Sequence, residues 1–187
     1  MQSIEESYIP IQKCLCAILD LPSNRVILAN QNRGSPPNSE VYATYWPEPL
    51  RAHGWPLIDR ENAAPAESHD PTLGSNWKDF RYTLRVNMLF TVTVNIFNGN
   101  AQSLAMRIPC SNFRPDVQAI LHQHKLGWQR VSNIRNLTSI LQAGIQPRFN
   151  IDIDLWATFD TSFNVLRAAR APFTIRDADT NTLLAEG

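Results

Sequence analysis

From Tyr82 to Phe97 the chain alternates without a break, and no other feature restricts its fold so tightly. Tyr82, Leu84, Val86, Met88, Phe90, Val92, Val94 and Ile96 share one side, and Thr83, Arg85, Asn87, Leu89, Thr91, Thr93, Asn95 and Phe97 share the other. A period of two over this length specifies a β-strand, because a slip of one residue would turn every apolar side chain towards water. The second side carries Thr and Asn with one arginine, where a fully solvated sheet face commonly carries Lys and Glu. Such a face is neither core nor ordinary surface, and it is expected to be covered by another chain.

A second segment repeats the pattern. Phe149, Ile151, Ile153, Leu155, Ala157 and Phe159 alternate with Arg148, Asn150, Asp152, Asp154, Trp156 and Thr158. Both runs exceed the usual strand of about five or six residues, so each is expected to bend, bulge or project. Paired antiparallel, they would form the centre of one sheet with a dry face and a semi-polar face.

The remaining pattern places helices beside that sheet. Ile11, Leu15, Ile18 and Leu19 have helical spacing, with Ser7 as the expected cap, Pro10 in the first turn and a stop before Pro22. A strand over Arg25–Ala29, a turn-rich stretch over Asn30–Asn38 and a strand over Glu40–Trp46 follow. From Pro47 to Trp77 five prolines dissolve the pattern, which predicts a long loop holding at most a short strand over Leu57–Glu61. Its tryptophans, Trp46, Trp55 and Trp77, are expected to pack on the sheet or on a neighbour. Asn98-Gly99-Asn100 reads as a turn, with Asn100 capping a helix through Leu104 and Ile108 that breaks at Pro109. A helix over Asp116–Lys125 should bury Val117, Ile120 and Leu121 and stop at Gly127. A strand over Trp128–Arg135, a turn or short hairpin over Asn136–Gly144, an edge strand over Phe163–Ile175 and a C-terminal tail complete the chain. The fold class is α+β, a mainly antiparallel sheet with two long strands and helices packed on one face. The 187 residues suit one domain.

Only 18% of the residues are charged, against an ordinary quarter or so, which fits a surface hidden in an assembly. The charge is also segregated. Residues 1–79 hold ten acidic and six basic side chains, residues 80–151 one acidic and eight basic, and the remainder six acidic and three basic. Opposite-signed surfaces would steer identical subunits head to tail or dock a charged partner, whereas folding that interleaves these charges would erase the contrast. The three cysteines, Cys14, Cys16 and Cys110, lack paired-ligand spacing and read as buried thiols of a reducing compartment. No secretory signal and no apolar run approaching the ~20 residues of a membrane span is visible, so synthesis in a cytoplasm is expected.

The search for chemistry finds no active site. Asp152 and Asp154 share one strand face, within reach of a common cation. No Glu-x-Lys or His follows at useful spacing, and Arg148 on the same face is placed to neutralise one of them. His122 and His124, two apart on a helix, point in different directions. The turn at Gly34-Ser35 lacks the Gly-Lys-Ser/Thr of a phosphate loop, and no nucleophile elbow or Cys–His signature is present. The basic stretch from Arg81 to Arg148 has no aromatic RNA-binding motif. The expectation is a protein that is not an enzyme, with no catalytic residue, cofactor or metal.

Two segments carry a family resemblance. One is Val26-Ile27-Leu28-Ala29-Asn30-Gln31-Asn32 leading through Pro36-Pro37 to Val41-Tyr42-Ala43-Thr44-Tyr45. The other is the ordered series of long strand, helix pair ending in Leu126-Gly127, strand, Arg135-Asn136-Leu137-Thr138 and second long strand. Together, over roughly Ile11 to Phe159, the chain resembles the neck or tail terminator proteins of tailed bacteriophages. It departs from them in having Arg33-Gly34-Ser35 before its prolines and in the length of the Pro47–Trp77 stretch.

The resemblance implies a tail-terminator-like α+β subunit that forms a ring, a hexamer, at the head-proximal end of the tail. Such a structural virion protein of the neck would terminate the tail tube and join it to the head-completion or adaptor ring beneath the portal. The implied partners are other copies of the chain, the tail tube protein, the head-completion or adaptor protein and a sheath. Genomic DNA would pass through the lumen without sequence-specific binding, and no membrane is involved. On this reading Arg85, Asn87, Thr91, Thr93, Asn95, Arg148, Asp152, Asp154 and Trp156 form a subunit interface or lumen face, where the aspartates would limit sticking of DNA. Trp46, Trp55 and Trp77 become the partner-contact loop. The alternatives are an adaptor subunit touching the portal, or a small cytoplasmic α+β enzyme or ligand-binding domain with its site in the Pro47–Trp77 stretch.

Overall fold

The computed structural model describes residues 3–31, 40–64, 78–141, 144–165, 174–176 and 183–186. It is α+β. Ten strands and three α-helices occur among these residues, and the chain packs as two compact units, one of residues 1–57 and 85–160 and one of residues 58–84 and 161–187.

The first unit carries the helices and the core. Helix α1, Tyr8–Leu19, turns Ile11, Cys14, Leu15, Ile18 and Leu19 inward. Ser7 does not cap it. Its hydroxyl donates instead to the Ile4 carbonyl at 2.5 Å, inside a preceding 3-10 turn. The helix ends in left-handed Asp20, at φ 55°, two residues before Pro22. Strand β1, Val26–Leu28, is fixed to α1 by Gln12, whose side-chain amide donates to the Val26 carbonyl at 2.7 Å.

Strand β2, Tyr42–Ala63, corrects the expected loop, for the residues from Pro47 to Ala63 are extended strand and not a loop. Trp46 and Trp55 therefore stand on a strand, while Trp77 and residues 65–76 lie outside the described residues. Prolines are tolerated here because β1 pairs, in parallel, only with Ala43–Tyr45. Beyond Tyr45 that side of β2 has no described ladder to which an N–H must be donated. Gly54, at φ 73°, interrupts the pleat in mid-strand, the bend that so long a strand requires.

Strand β3, Asp79–Phe97, and strand β8, Arg148–Val165, are the two long alternating segments, and they lie side by side at the centre of the sheet order β1-β2-β3-β8-β4. Between them come α2, Ala101–Ala105, α3, Pro115–Gln123, β4, Leu126–Val131, β5, Arg135–Asn136, β6, Ser139–Leu141, and β7, Gly144–Gln146. β4 and β5 both pair antiparallel with β8, and β6 with β7 forms the short hairpin expected there. The helix expected through Ile108 stops at Ala105, and Asn100 makes no side-chain cap. α3 is stopped by left-handed Lys125, at φ 55°, rather than by Gly127, which already belongs to β4.

The dry face is Phe90, Val92, Val94 and Ile96 of β3 with Ile151, Ile153, Leu155 and Ala157 of β8, closed by α1 and by Val117 and Leu121 of α3. The void left between α1, α3 and the sheet is ≈10 Å³, no more than the minimum a single water needs, about 10–15 Å³. The core is full.

In the second unit, Tyr82 of β3 stacks with Phe163 of β8 at 6.0 Å, and Arg60 of β2 lies over the Phe80 ring at 3.4 Å. The expected C-terminal tail is corrected too, because β9, Thr174–Arg176, and β10, Leu183–Glu186, pair antiparallel.

Two ionisable groups are held neutral by this packing. Burial, reinforced by the nearby Asp116 charge, pushes the Cys14 thiol up to about 12. Burial also pushes the Tyr45 phenol, which donates to the Tyr8 carbonyl at 3.1 Å, up to about 12. Below about pH 9 both groups keep their protons folded or unfolded and contribute no pH dependence. Above it the unfolded chain releases protons that the folded chain retains, so stability falls by about 1.4 kcal/mol per pH unit for each group in its window. Those windows run from about pH 9 to 12 for Cys14 and from about 10 to 12 for Tyr45. Urea unfolding between pH 8 and 11 should show this loss, and Cys14→Ala should abolish it between about pH 9 and 10 and leave the Tyr45 share above about pH 10. Cys110, contrary to expectation, is exposed.

Candidate functional site

The semi-polar side of β3 and β8 is a ladder of cross-strand hydrogen bonds. Thr91 Oγ1 donates to Asp154 Oδ1 at 2.6 Å, and Thr93 Oγ1 donates to Asp152 Oδ1 at 3.0 Å. Thr158 Oγ1 donates to Asn87 Oδ1 at 3.0 Å, and Arg85 Nε donates to Asp160 Oδ1 at 3.2 Å. Asn95 Oδ1 accepts from Arg148 Nε at 3.2 Å and from Asn150 Nδ2 at 3.2 Å. As residue numbers rise along β3 they fall by equal steps along β8, which fixes the pair as antiparallel. All nine residues expected on this face are on it, eight of them in the bonds above and the ninth, Trp156, beside His53 at a ring distance of 4.8 Å.

This pairing explains the scarcity of Lys and Glu in the pattern. A face stabilised by Thr, Asn and Asp bonded across two strands satisfies its polar groups internally. It also corrects the charge assignment. Arg148 bonds Asn95 and lies over the Phe97 ring at 5.4 Å, and the carboxylates are met by arginines from the neighbouring strands. Arg130 Nε donates to Asp154 Oδ2 at 2.5 Å, while Arg135 pairs with Asp152 and its Nε donates to Asn150 Oδ1 at 2.8 Å. An uncovered pair of aspartates is not what this face presents.

Neither Arg130 nor Arg135 was singled out as a site residue by sequence reasoning, and for Arg130 a bulge is the reason. β4 pairs Trp128 with Leu155, then Arg130 with Asp154 and Val131 with Ile153, so Gln129 is an extra residue. Strict alternation after Trp128 would send Arg130 into the core. The bulge reverses the phase, bringing Arg130 out to Asp154 and Val131 in. The signal was present as two successive polar residues, Gln129-Arg130, between Trp128 and Val131.

Of the tryptophans expected to contact a partner, Trp77 lies outside the described residues. Trp46 is half-buried, and Trp55, on the first unit's stretch of β2, is 97% exposed with Leu57 two residues on. Among the described residues no group of three or more His, Cys, Asp and Glu side chains is placed to hold a metal, and no helix is long and apolar enough to cross a membrane. The face is a hydrogen-bonded surface with charged groups outermost and the His53–Trp156 aromatic pair beside them.

No curated protein matches the sequence. The family model for the phage neck terminator protein matches residues 5–179, nearly the whole chain and including both long strands and both central helices. The chain therefore belongs to the phage neck terminator protein family, the structural proteins of the phage neck.

Proposed function

We propose that the chain assembles as a ring of six copies that closes the head-proximal end of the tail tube and joins it to the head-completion or adaptor complex. Membership of the neck terminator family carries this reading. The subunit has the properties such a ring needs. Its charged content is low at 18%, its semi-polar sheet face is ordered without burying a core, and Trp55 presents a large apolar surface to solvent. Exposed aromatic groups of this kind are the usual centres of protein contacts. The sheet face is assigned to contact between subunits rather than to the lumen, because the carboxylates that would repel DNA are covered by guanidinium groups.

The test is the length and fate of tails. In phage lacking this chain, tubes should elongate beyond their normal length and stay free of heads. Adding the purified chain to such tubes should place ring density on one end and stop further growth, as seen by electron microscopy. Tails of normal length joined to heads in the absence of the chain would overturn the proposal. A chain that stays with heads and never caps tubes would assign it to the adaptor position instead.

A further inference from the structure

The charges on the ladder face are layered. Arg130 is 74% exposed and its partner Asp154 only 7%. Arg135 is likewise more exposed than Asp152, and Arg85 more than Asp160. In every pair the guanidinium is the outer member and the carboxylate lies beneath it. Lys125 is exposed beside the recess that Arg85, Trp156 and Asp160 also line. With Arg148, these named groups comprise five cations and three carboxylates.

A guanidinium has five N–H donors, and a carboxylate below leaves several of them directed outward. Anchoring also removes side-chain freedom in advance, so a docking partner loses less entropy when it engages the arginine. Pre-positioned arginines around a half-buried tryptophan are the composition of a protein interface centre. Three carboxylates among them disfavour a phosphate backbone, whose binding depends on unopposed positive charge.

We infer that this face docks the acidic N-terminal region of a second copy of the chain. The inference rests on the ring reading above and names its contact. Charge complementarity within the one sequence selects the occupant. Residues 1–12 carry two acidic side chains and no basic one, and both, Glu5 and Glu6, are exposed on the 3-10 turn that precedes α1. A contact between two different surfaces of identical subunits is head-to-tail, and repeated with rotation it closes a ring.

The experiment compares capping of tail tubes by the wild-type chain and two variants. The first carries Arg130→Gln, Asp154→Asn, Arg135→Gln and Asp152→Asn, which keeps acceptors for Thr91 and Thr93 while removing the outer cations. The second carries Glu5→Arg and Glu6→Arg. Each variant should keep its circular dichroism spectrum and lose about tenfold or more in the concentration needed to cap tubes. If the two surfaces touch, combining the variants should cost little beyond either alone, since the shared contact is already lost. Raising salt should weaken the wild type more than the variants. Wild-type capping with unchanged capping by either variant, or with losses that multiply when combined, overturns the inference and leaves the ring reading standing. Failure of the wild type to cap tubes overturns the ring reading itself. Loss of binding to a duplex oligonucleotide by the first variant, with capping intact, would reassign the face to nucleic acid.

Discussion

Replacing Phe90 by alanine is expected to lower stability by about 3–5 kcal/mol, the range for emptying a large aromatic site in a packed core. Phe90 is 1% exposed and stands on β3 where the dry face begins, among side chains of β8, α1 and α3. Truncation at so fully buried a position removes the ring's contacts and leaves a new cavity, because the surroundings relax only in part. For a chain of this size the loss corresponds to a fall in Tm of roughly 6–20 °C. Val86→Ala supplies the internal comparison. Val86 has the same parity on the same strand but is only half-buried, and its truncation should cost no more than about 1 kcal/mol. Equal losses at the two positions in thermal or urea unfolding would mean that the dry face extends further along β3 than the burial pattern indicates.

How much of this fold could be read in advance depends on whether the governing pattern was local. β3 and β8 were legible because alternation is a property of consecutive residues, and their buried positions from Phe90 to Ile96 and from Ile151 to Ala157 follow it. The ladder residues were legible for the same reason, as the parity opposite to the core. β2 was not, since Pro47, Pro49 and Pro56 argue against a strand unless it is known that one side of it lacks a partner, and that depends on the short reach of β1. The stop of α3 was misplaced by two residues because Lys125 takes the left-handed conformation for which glycine is the usual signal.

The candidate site was half legible. Thr91, Thr93, Asp152 and Asp154 follow from alternation, but what the aspartates do depends on Arg130 and Arg135, which arrive from other strands. Arg148, the arginine nearest to them in sequence, bonds Asn95 instead. That difference alters the functional reading. Bare carboxylates suit a wall that repels DNA, whereas carboxylates beneath guanidinium groups suit a surface that holds a partner. Family membership gives the phage neck role, and the layering of this face supplies the reason to look for its contacts there.

Gly99→Ala is expected to cost about 2–5 kcal/mol, through two separable effects. Gly99 has φ 44°, a conformation that alanine adopts only with strain, and an added Cβ would lie 2.5 Å from Val41 Cγ2. The position matters because the turn ties three strands at one end of the sheet. Next to it, buried Asn98 takes φ 66°; its backbone N–H donates to the Pro147 carbonyl at 2.9 Å and its side-chain amide to the Glu40 carbonyl at 3.0 Å. Those bonds hold the end of β3 to the residue before β8 and to the approach of β2. A shift large enough to relieve Val41 would also disturb them, so the strain cannot relax locally. Adding Val41→Ala to Gly99→Ala should recover the steric part, about 1–3 kcal/mol less the cost of truncating a half-buried valine, and leave the backbone part of about 1–2 kcal/mol in place. Full recovery in the double variant would show that the left-handed backbone at Gly99 costs nothing. No recovery would show that Val41 moves freely and that backbone strain alone sets the effect. Because β8 begins at this corner with Arg148 and runs on through Asn150, Asp152 and Asp154, a loosened turn should weaken tube capping as well as folding. The capping defect should then be restored by Val41→Ala in the same proportion as stability.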